Sequence, residues 1–257
     1  MSVFRKIRCI FVKKFEPHQI TRVFMTIFYA PDIANSPFLP DDESAHCAKV
    51  LRLQAGAVVH LIDGVGNLYE AAIVAPHAKR TEVKILSVQP DFGCRPWRLH
   101  LAVAPTKNSD RFEWFVEKAT EIGVDTITPL LCRYSERKAI RPDRIEKILV
   151  SASKQSYKAR IPQLNPMTAV ADFLQQVREP YRFVAHCYEG DKPHLLHVCP
   201  PRSEVVIMVG PEGDFSREEV DWALQQHFQP VTLGASRLRT ETAGVVACHL
   251  ATVVNEI

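Results

Sequence analysis

Residues 205–243 carry the clearest signal of the fold. The stretch reads VVIMVGPEGDFSREEV over 205–220 and ends in VTLGASRLRTETA over 231–243. The apolar, β-branched run 205–209 predicts a short buried strand, which Gly-Pro at 210–211 ends. Ser216 lies three residues before Glu219, the spacing of a capping box, and so predicts the start of a helix over 217–227. A second strand is predicted to end at Leu233-Gly234. Two strand ends thus carry two loops, and ligands bind at such ends in open α/β sheets.

Both loops contain glycine but lack a phosphate-binding pattern. Gly210, Gly213 and Gly234 have no side chain and a free φ angle, so backbone groups can approach a planar ligand closely. The sequence contains no GxGxxG and no glycine-rich run that ends in Gly-Lys-Ser/Thr. A nucleotide-dependent hydrolase or dehydrogenase therefore lacks its usual fingerprint here.

The same loops carry a family resemblance. GPEG at 210–213, followed by LGxxxLRTETA at 233–243, closely resembles the ribosomal RNA small-subunit methyltransferase E family, a branch of the α/β-knot (SPOUT) methyltransferases that bind S-adenosylmethionine. The resemblance runs from about Met25 to the end of the chain. It implies an α/β protein with an N-terminal PUA-like small β-barrel, which contacts RNA, and a C-terminal trefoil-knot domain that forms a homodimer.

Hydrophobic patterns predict where these domains lie. Short alternating runs over 25–90, with a glycine-containing turn at 63–67 and one helix over 43–53, predict strands that close into a small barrel. A linker rich in proline and glycine follows at 89–96. Strand and helix patterns then alternate over 97–257, which predicts a largely parallel sheet with helices on both faces. The last helix, predicted over 242–257, is still apolar at its end and needs a partner surface.

Positive charge is concentrated in two segments, although the net charge is only +3. Residues 1–24 hold six basic residues and one acidic residue, without the features of a signal peptide. We expect either that Met25 is the natural start or that this basic extension is a disordered arm. Between Arg133 and Arg160, nine Lys/Arg residues face three Asp/Glu residues. This pattern is typical of a phosphate-binding face, although a solvated helix face would also produce it.

The composition describes an ordinary globular protein, with 46% hydrophobic and 24% charged residues. No apolar run approaches the length of a membrane span. The seven cysteines are scattered without a CxxC pair, which favours reduced thiols over disulfides or a zinc site. We therefore expect a cytoplasmic protein with no metal site and no membrane segment.

The resemblance implies methylation of N3 of a uridine in 16S ribosomal RNA, either in free RNA or in the assembled small subunit. Arg239 is our candidate cation for the imide anion that develops at N3. Glu241 is our candidate base, with cofactor binding or helix capping as its alternative roles. The candidate cofactor-binding residues are His186, Gly210, Pro211, Glu212, Gly213, Leu233, Gly234, Leu238, Thr242 and Ala243.

Basic and polar residues on both domains are predicted to bind the RNA. His46 and Arg52 match the HxxxVLR pattern of the PUA-like domain, and a core histidine with a surface arginine is the alternative interpretation. The candidates in the second domain are Lys107, Arg111, Arg137, Lys138, Lys154, Gln155 and Arg160. Two positions depart from the family: Lys154 stands where an acidic residue often precedes Gln155, and Asp214 replaces a frequent glycine. We expect little effect from Asp214, because aspartate is tolerated in turns.

A non-catalytic RNA-binding or ribosome-assembly factor with the same knot fold is the alternative function. The intact glycines and the intact LRTETA segment argue against it. Binding of S-adenosylmethionine would favour the methyltransferase, and binding of NAD or ATP would favour a nucleotide-dependent enzyme.

Overall fold

The computed structural model describes residues 26–257, which form a four-stranded sheet and a seven-stranded sheet. The basic extension 1–24 and the candidate start Met25 lie outside these residues. Among the described helices, none is long and apolar enough to cross a membrane. The chain therefore divides into a small N-terminal sheet and a larger C-terminal α/β unit.

The first sheet has its strands in chain order, with β1 parallel to β2 and the remaining pairs antiparallel. Its strands are β1 (Ile27–Tyr29), β2 (Val58–Ile62), β3 (Leu68–Ala75) and β4 (Glu82–Gln89). The chain that leaves β1 crosses to the opposite edge, where Phe38 bridges Glu82 of β4. This connection partly closes the sheet around the fully buried Phe28 and Leu61, in the manner of a small barrel.

The helix predicted over 43–53 is shorter and begins earlier. It consists of α1 (Asp41–Ala45) and a π-helical turn, His46–Val50. Arg52 has a φ angle of +52°, which a right-handed helix cannot contain, so the helix ends before it.

The second sheet is parallel at every strand pair, with strand order β11-β9-β10-β5-β6-β7 and β8 paired with β6. Its strands are β5 (Arg98–Val103), β6 (Thr126–Leu131), β7 (Gln163–Leu164), β8 (Thr168–Ala169), β9 (Tyr181–Ala185), β10 (Glu204–Val209) and β11 (Gln229–Val231). The helices are α2 (Ser109–Ile122), α3 (Pro142–Gln155), α4 (Val170–Gln176), α5 (Leu195–Val198), α6 (Arg217–Gln225) and α7 (Thr240–Glu256). The predicted alternation of strands and helices is confirmed.

β10 lies inside the sheet and is buried on both faces, which explains its continuous apolar sequence. Val205, Ile207 and Val209 belong to the core that also contains residues of α2 and α7. Val206 and Met208 point the other way, into the core formed with α4 and α6. This central strand therefore holds the 210–214 loop at the carboxyl edge of the sheet.

Two boundaries near the second loop differ from the prediction. β11 ends at Val231, two residues before the predicted end of the strand at Leu233. α7 begins at Thr240, so Glu241 and Thr242 lie in its first turn. By contrast, the predicted capping box is present: the hydroxyl of Ser216 accepts from the backbone N–H of Glu219, and the Glu219 carboxylate accepts from the N–H of Ser216.

Candidate functional site

A cavity of about 990 Å³ opens at the carboxyl ends of β9, β10 and β11. Its walls are residues 185–188, 209–214 and 231–241, together with Arg111, Lys192 and Ala243. Nine of the ten candidate cofactor residues line it, and Thr242 is the exception. The two loops that are 20 residues apart in sequence thus form one site, and both candidate catalytic residues, Arg239 and Glu241, lie in its wall.

The glycines of the 210–214 loop are required for space rather than for an unusual φ angle. A Cβ atom added to Gly210 would lie 3.0 Å from the backbone nitrogen of Phe215. One added to Gly213 would lie 3.0 Å from the Cβ of Tyr134. Neither glycine has a positive φ, so our interpretation that they free this angle is wrong for both. It holds for Gly234, whose φ is +135° with open space around the missing Cβ.

Within this loop Asp214, and neither glycine, adopts a positive φ angle, which is +64°. Its carboxylate accepts hydrogen bonds from the backbone N–H of Cys187 (2.7 Å) and of Phe215 (2.8 Å). Asp214 therefore joins the loop after β10 to the loop after β9. The expectation of little effect at this position understates its role, because the side chain holds two walls of the cavity together.

His186 places a buried, unpartnered atom in the cavity wall. Its Nδ1 has no hydrogen-bond partner among residues 26–257. Burial, helped by the nearby ammonium of Lys192, lowers the pKa of His186 from its ordinary value, so the ring favours the neutral form. A buried polar atom without a partner is costly unless a ligand satisfies it.

Glu212 is exposed, and its carboxylate accepts a hydrogen bond from the backbone N–H of Lys107 at 2.9 Å. It therefore links the 210–214 loop to the loop between β5 and α2. Arg137 braces the same segment, because its guanidinium donates to the backbone oxygens of Thr106 (3.0 Å) and Lys107 (2.6 Å). The Lys107 ammonium is exposed and pairs with Glu136 at 2.7 Å.

The candidate RNA-binding residues fall into separate places. Lys138 and Gln155 are exposed, and so are His46 and Arg52 on the first domain. Arg111, by contrast, lines the cavity and lies 3.9 Å from Glu241. The sequence predicts Arg111 as an RNA contact, and it does not predict its place beside Glu241, because that place depends on packing between α2 and α7.

Lys154 and Arg160 lie where the two domains meet. The Lys154 ammonium pairs with Glu43 of α1, and the same carboxylate accepts from the backbone N–H of Tyr29. Arg160 bridges the β2–β3 turn and packs so closely on Gly66 that an added Cβ would lie 2.9 Å from its guanidinium. The charge reversal at Lys154 therefore has a structural explanation within this chain.

A second polar cluster lies at the opposite end of the sheet, beside a cavity of about 650 Å³. His100 contacts Glu179 through Nδ1 (2.6 Å) and Thr128 through Nε2 (2.7 Å), while Asn165 donates to Thr128. Sequence reasoning missed this cluster, because its members are far apart along the chain. Each imidazole nitrogen already has a partner, so the cluster serves to join β5, β6 and the loop before β9.

Family comparisons match both parts of the chain. A model of the RNA methyltransferase domain matches residues 94–252, and a model of the RNA methyltransferase PUA domain matches residues 39–86. Together with the parallel sheet and its cavity, they define the class of protein: an RNA methyltransferase that carries a PUA domain.

Individual relatives show to which family of RNA methyltransferases the chain is similar. The ribosomal RNA small subunit methyltransferase E of Synechocystis is 29% identical over 77% of this chain and 67% of its own length. The crystal structure of a probable rRNA-methyltransferase from Porphyromonas gingivalis is 39% identical, with a TM-score of 0.86 over 90% of this chain and 99% of that one. The Neisseria gonorrhoeae ribosomal RNA small subunit methyltransferase E, solved bound to S-adenosyl methionine, is 27% identical, with a TM-score of 0.78 over 90% and 98%. The chain belongs to the ribosomal RNA small subunit methyltransferase E family. The predicted fold class, an α/β protein with an N-terminal PUA-like domain and a C-terminal SPOUT domain, is confirmed.

Proposed function

We propose that this protein transfers a methyl group from S-adenosylmethionine to N3 of a uridine in 16S ribosomal RNA. The observation that carries the proposal is the meeting of the GPEG loop and the LRTETA segment in one cavity at the strand ends. The relatives named above as ribosomal RNA methyltransferases, one of them solved with S-adenosyl methionine, support it. We further propose that the first domain, 25–90, binds RNA and that 97–257 carries the chemistry.

The residues of the cavity fit this cofactor. Gly210 and Gly213 bring peptide groups without side chains to the cavity wall, where a flat adenine ring can contact them. His186 offers a buried, neutral nitrogen that a hydroxyl or amino group can satisfy. The cofactor would therefore be held by backbone groups of both loops, by His186, and by the remaining candidates that line the cavity, Pro211, Glu212, Leu233, Gly234, Leu238 and Ala243.

When bound, S-adenosylmethionine supplies an electrophilic methyl group on a sulfonium. The protein's part is to align the uridine with that methyl group, to exclude water and to manage the N3 proton. Arg239, at the N-terminal boundary of α7, would stabilise the negative charge that develops on the imide. Glu241 is the second residue of α7 and is 8% exposed, and it would accept the proton.

The target base must leave its pair, because N3 of uridine is occupied in Watson–Crick pairing. The exposed Lys107, whose backbone is joined to the cavity-lining Glu212, and the exposed Lys138 would hold phosphates of the RNA on either side of an extruded base. His46 and Arg52 on the first domain would contact the RNA further along, and Gln155 and Arg160 would contact it near the junction of the domains.

We also propose a homodimer. α7 buries Ala247, Cys248 and Ala251 in its own domain, but Val253 and Val254 remain half-buried and Ile257 is 95% exposed. A second copy that packs against this end of the helix would cover these side chains across a two-fold axis. Sedimentation of the purified protein tests the proposal, and a monomer at micromolar concentration would exclude it.

Transfer of labelled methyl from S-adenosylmethionine to unmodified small subunits and to naked 16S rRNA, followed by nucleoside analysis, tests the function. We expect labelled 3-methyluridine, and the better substrate of the two would show whether the enzyme acts before or after assembly. Label in a different nucleoside would reject the N3 position. A protein that binds RNA but not S-adenosylmethionine would instead be the assembly factor.

A further inference from the structure

Glu241 is a nearly buried carboxylate in the wall of the cavity. Its side chain is 10% exposed, and it lies in the first turn of α7. Among residues 26–257, the basic side chain within 4 Å of it is Arg111, whose Nε lies 3.9 Å from Oε1.

Arg111 reaches this carboxylate from a different element, the first turn of α2. The two helices are in very close contact, because a Cβ added to Gly244 of α7 would lie 2.6 Å from the ring of Phe115 in α2. The spacing between Arg111 and Glu241 is therefore set by the packing of two well-formed helices and not by a flexible loop. The guanidinium is 45% exposed and lines the cavity, so it is open to the site rather than sealed in the core.

The other charged groups that face the cavity are further from this carboxylate or are engaged elsewhere. Asp214 accepts from Cys187 and Phe215, and Glu212 accepts from Lys107. The remaining titratable side chains are His186, Cys187, Tyr188, Lys192, Arg237 and Arg239, and none of them lies within ion-pair distance of Glu241. Asp110, next to Arg111 on α2, is exposed and lies 4.0 Å from Arg144. Arg111 is thus the dominant local charge on Glu241.

We propose that Arg111 is a positioning residue for Glu241, whose carboxylate it keeps directed into the cavity as the acceptor of the imide proton. The inference rests on the proposed function. In the step it serves, the proton on uridine N3 passes to the Glu241 carboxylate while the N3 lone pair forms a bond to the methyl carbon. The carbon–sulfur bond breaks with its electron pair on sulfur. The products are 3-methyluridine, S-adenosylhomocysteine and protonated Glu241, which then loses its proton to water.

The test separates kcat from the KM for RNA at saturating cofactor, because a positioning residue acts on the chemical step. Replacing Arg111 by Gln removes the cation beside the carboxylate, so kcat should fall about tenfold while the KM for RNA stays nearly unchanged. Arg111→Lys should restore most of the lost rate. Glu241→Gln should lower kcat by about a hundredfold or more.

Arg144→Gln is the matched control, because Arg144 also pairs with a glutamate of α2, Glu113, at 2.6 Å but lies outside the cavity. Its kcat and its KM for RNA should match those of the unchanged protein. Circular dichroism and the Kd for S-adenosylmethionine show whether each variant is folded.

Three results would overturn the inference. The first is a higher KM for RNA in Arg111→Gln with an unchanged kcat, which would make Arg111 an RNA contact. The second is an equal loss of kcat in Arg111→Gln and Arg111→Lys, which would indicate a purely structural role. The third is an unchanged protein that binds cofactor and RNA but transfers no methyl group, which would remove the proposed function and this inference with it.

Discussion

Lys154 and Glu43 join the two domains through one ion pair. The ammonium of Lys154, near the end of α3, lies 2.5 Å from Oε1 of Glu43 in α1, and the two side chains are only 24% and 11% exposed. The same oxygen accepts from the backbone of Tyr29, so it also fixes the start of β1. Together with the bridge between Arg160 and the β2–β3 turn, this contact holds the first domain beside the methyltransferase domain.

We predict that Lys154→Ala lowers the free energy of unfolding by about 1–3 kcal/mol, between the values typical of exposed and of fully buried pairs. Glu43→Ala should have a similar effect, and the double variant should lose less than the sum of the two. Urea unfolding of the four proteins measures this coupling. Additive losses would show that the pair contributes no interaction energy.

Arg239→Ala should reduce turnover by about 10²–10³-fold, because it removes the cation from the developing imide charge. Its far-ultraviolet spectrum and its affinity for S-adenosylmethionine should be nearly unchanged. The control is Arg98→Ala, an exposed arginine at the other end of the sheet, which should retain full turnover. Turnover of Arg239→Ala equal to that of the control would exclude Arg239 from the mechanism.

Gly210→Ala should weaken cofactor binding by at least about tenfold, because the new Cβ would lie 3.0 Å from the backbone nitrogen of Phe215 and 3.2 Å from the carbonyl carbon of Asp214. Backbone cannot give way as a flexible side chain does. Gly93→Ala is the matched control, because Gly93 lies in the linker and a Cβ added there would have open space around it. It should cost about 1 kcal/mol through its φ of +71° and leave the Kd unchanged. Isothermal titration calorimetry compares the two, and equal affinities would contradict the role of Gly210.

Asp63 should make stability depend on pH. Its carboxylate accepts from the backbone N–H groups of Val65, Gly66 and Asn67. Burial alone would raise its pKa, but the hydrogen bonds from Asn67 and the turn outweigh burial and lower the pKa below the ordinary value. The stabilisation is therefore complete above the unfolded pKa of about 3.9 and is lost as the pH falls through the lower, folded pKa.

Asp63→Ala should accordingly cost about 1–3 kcal/mol at pH 7, and the difference from the unchanged protein should shrink in acid. Urea unfolding at pH 7 and near pH 3 measures both values. Asp221→Ala, an exposed position on α6, is the control and should change stability by less than about 0.5 kcal/mol. A loss at Asp63 that is the same at both pH values would refute the pKa argument.

Local signals in the sequence predicted the elements well where one principle dominated. β10 ends at the predicted Val209 and begins one residue before the predicted run 205–209, because a continuous apolar β-branched run favours a buried strand. The Ser216–Glu219 capping box was predictable because both partners are within one turn. By contrast, Arg111 beside Glu241 and Lys154 beside Glu43 arise from helix packing between segments more than 100 residues apart. No periodicity encodes such contacts, so the sequence predicts Lys154 and Arg111 only as RNA-binding residues.

The hydrogen bond between Glu212 and the backbone of Lys107 joins the 210–214 loop of the cavity wall to the loop between β5 and α2, which carries the exposed Lys107. Under the proposed function, these two segments serve different ligands, one the cofactor and the other the RNA. Each ligand then changes the freedom of the segment that the other must use. If the first ligand changes the affinity for the second by some factor, thermodynamic reciprocity requires that the second ligand changes the affinity for the first by the same factor. The two substrates would therefore bind as a cooperative pair, joined through a single carboxylate.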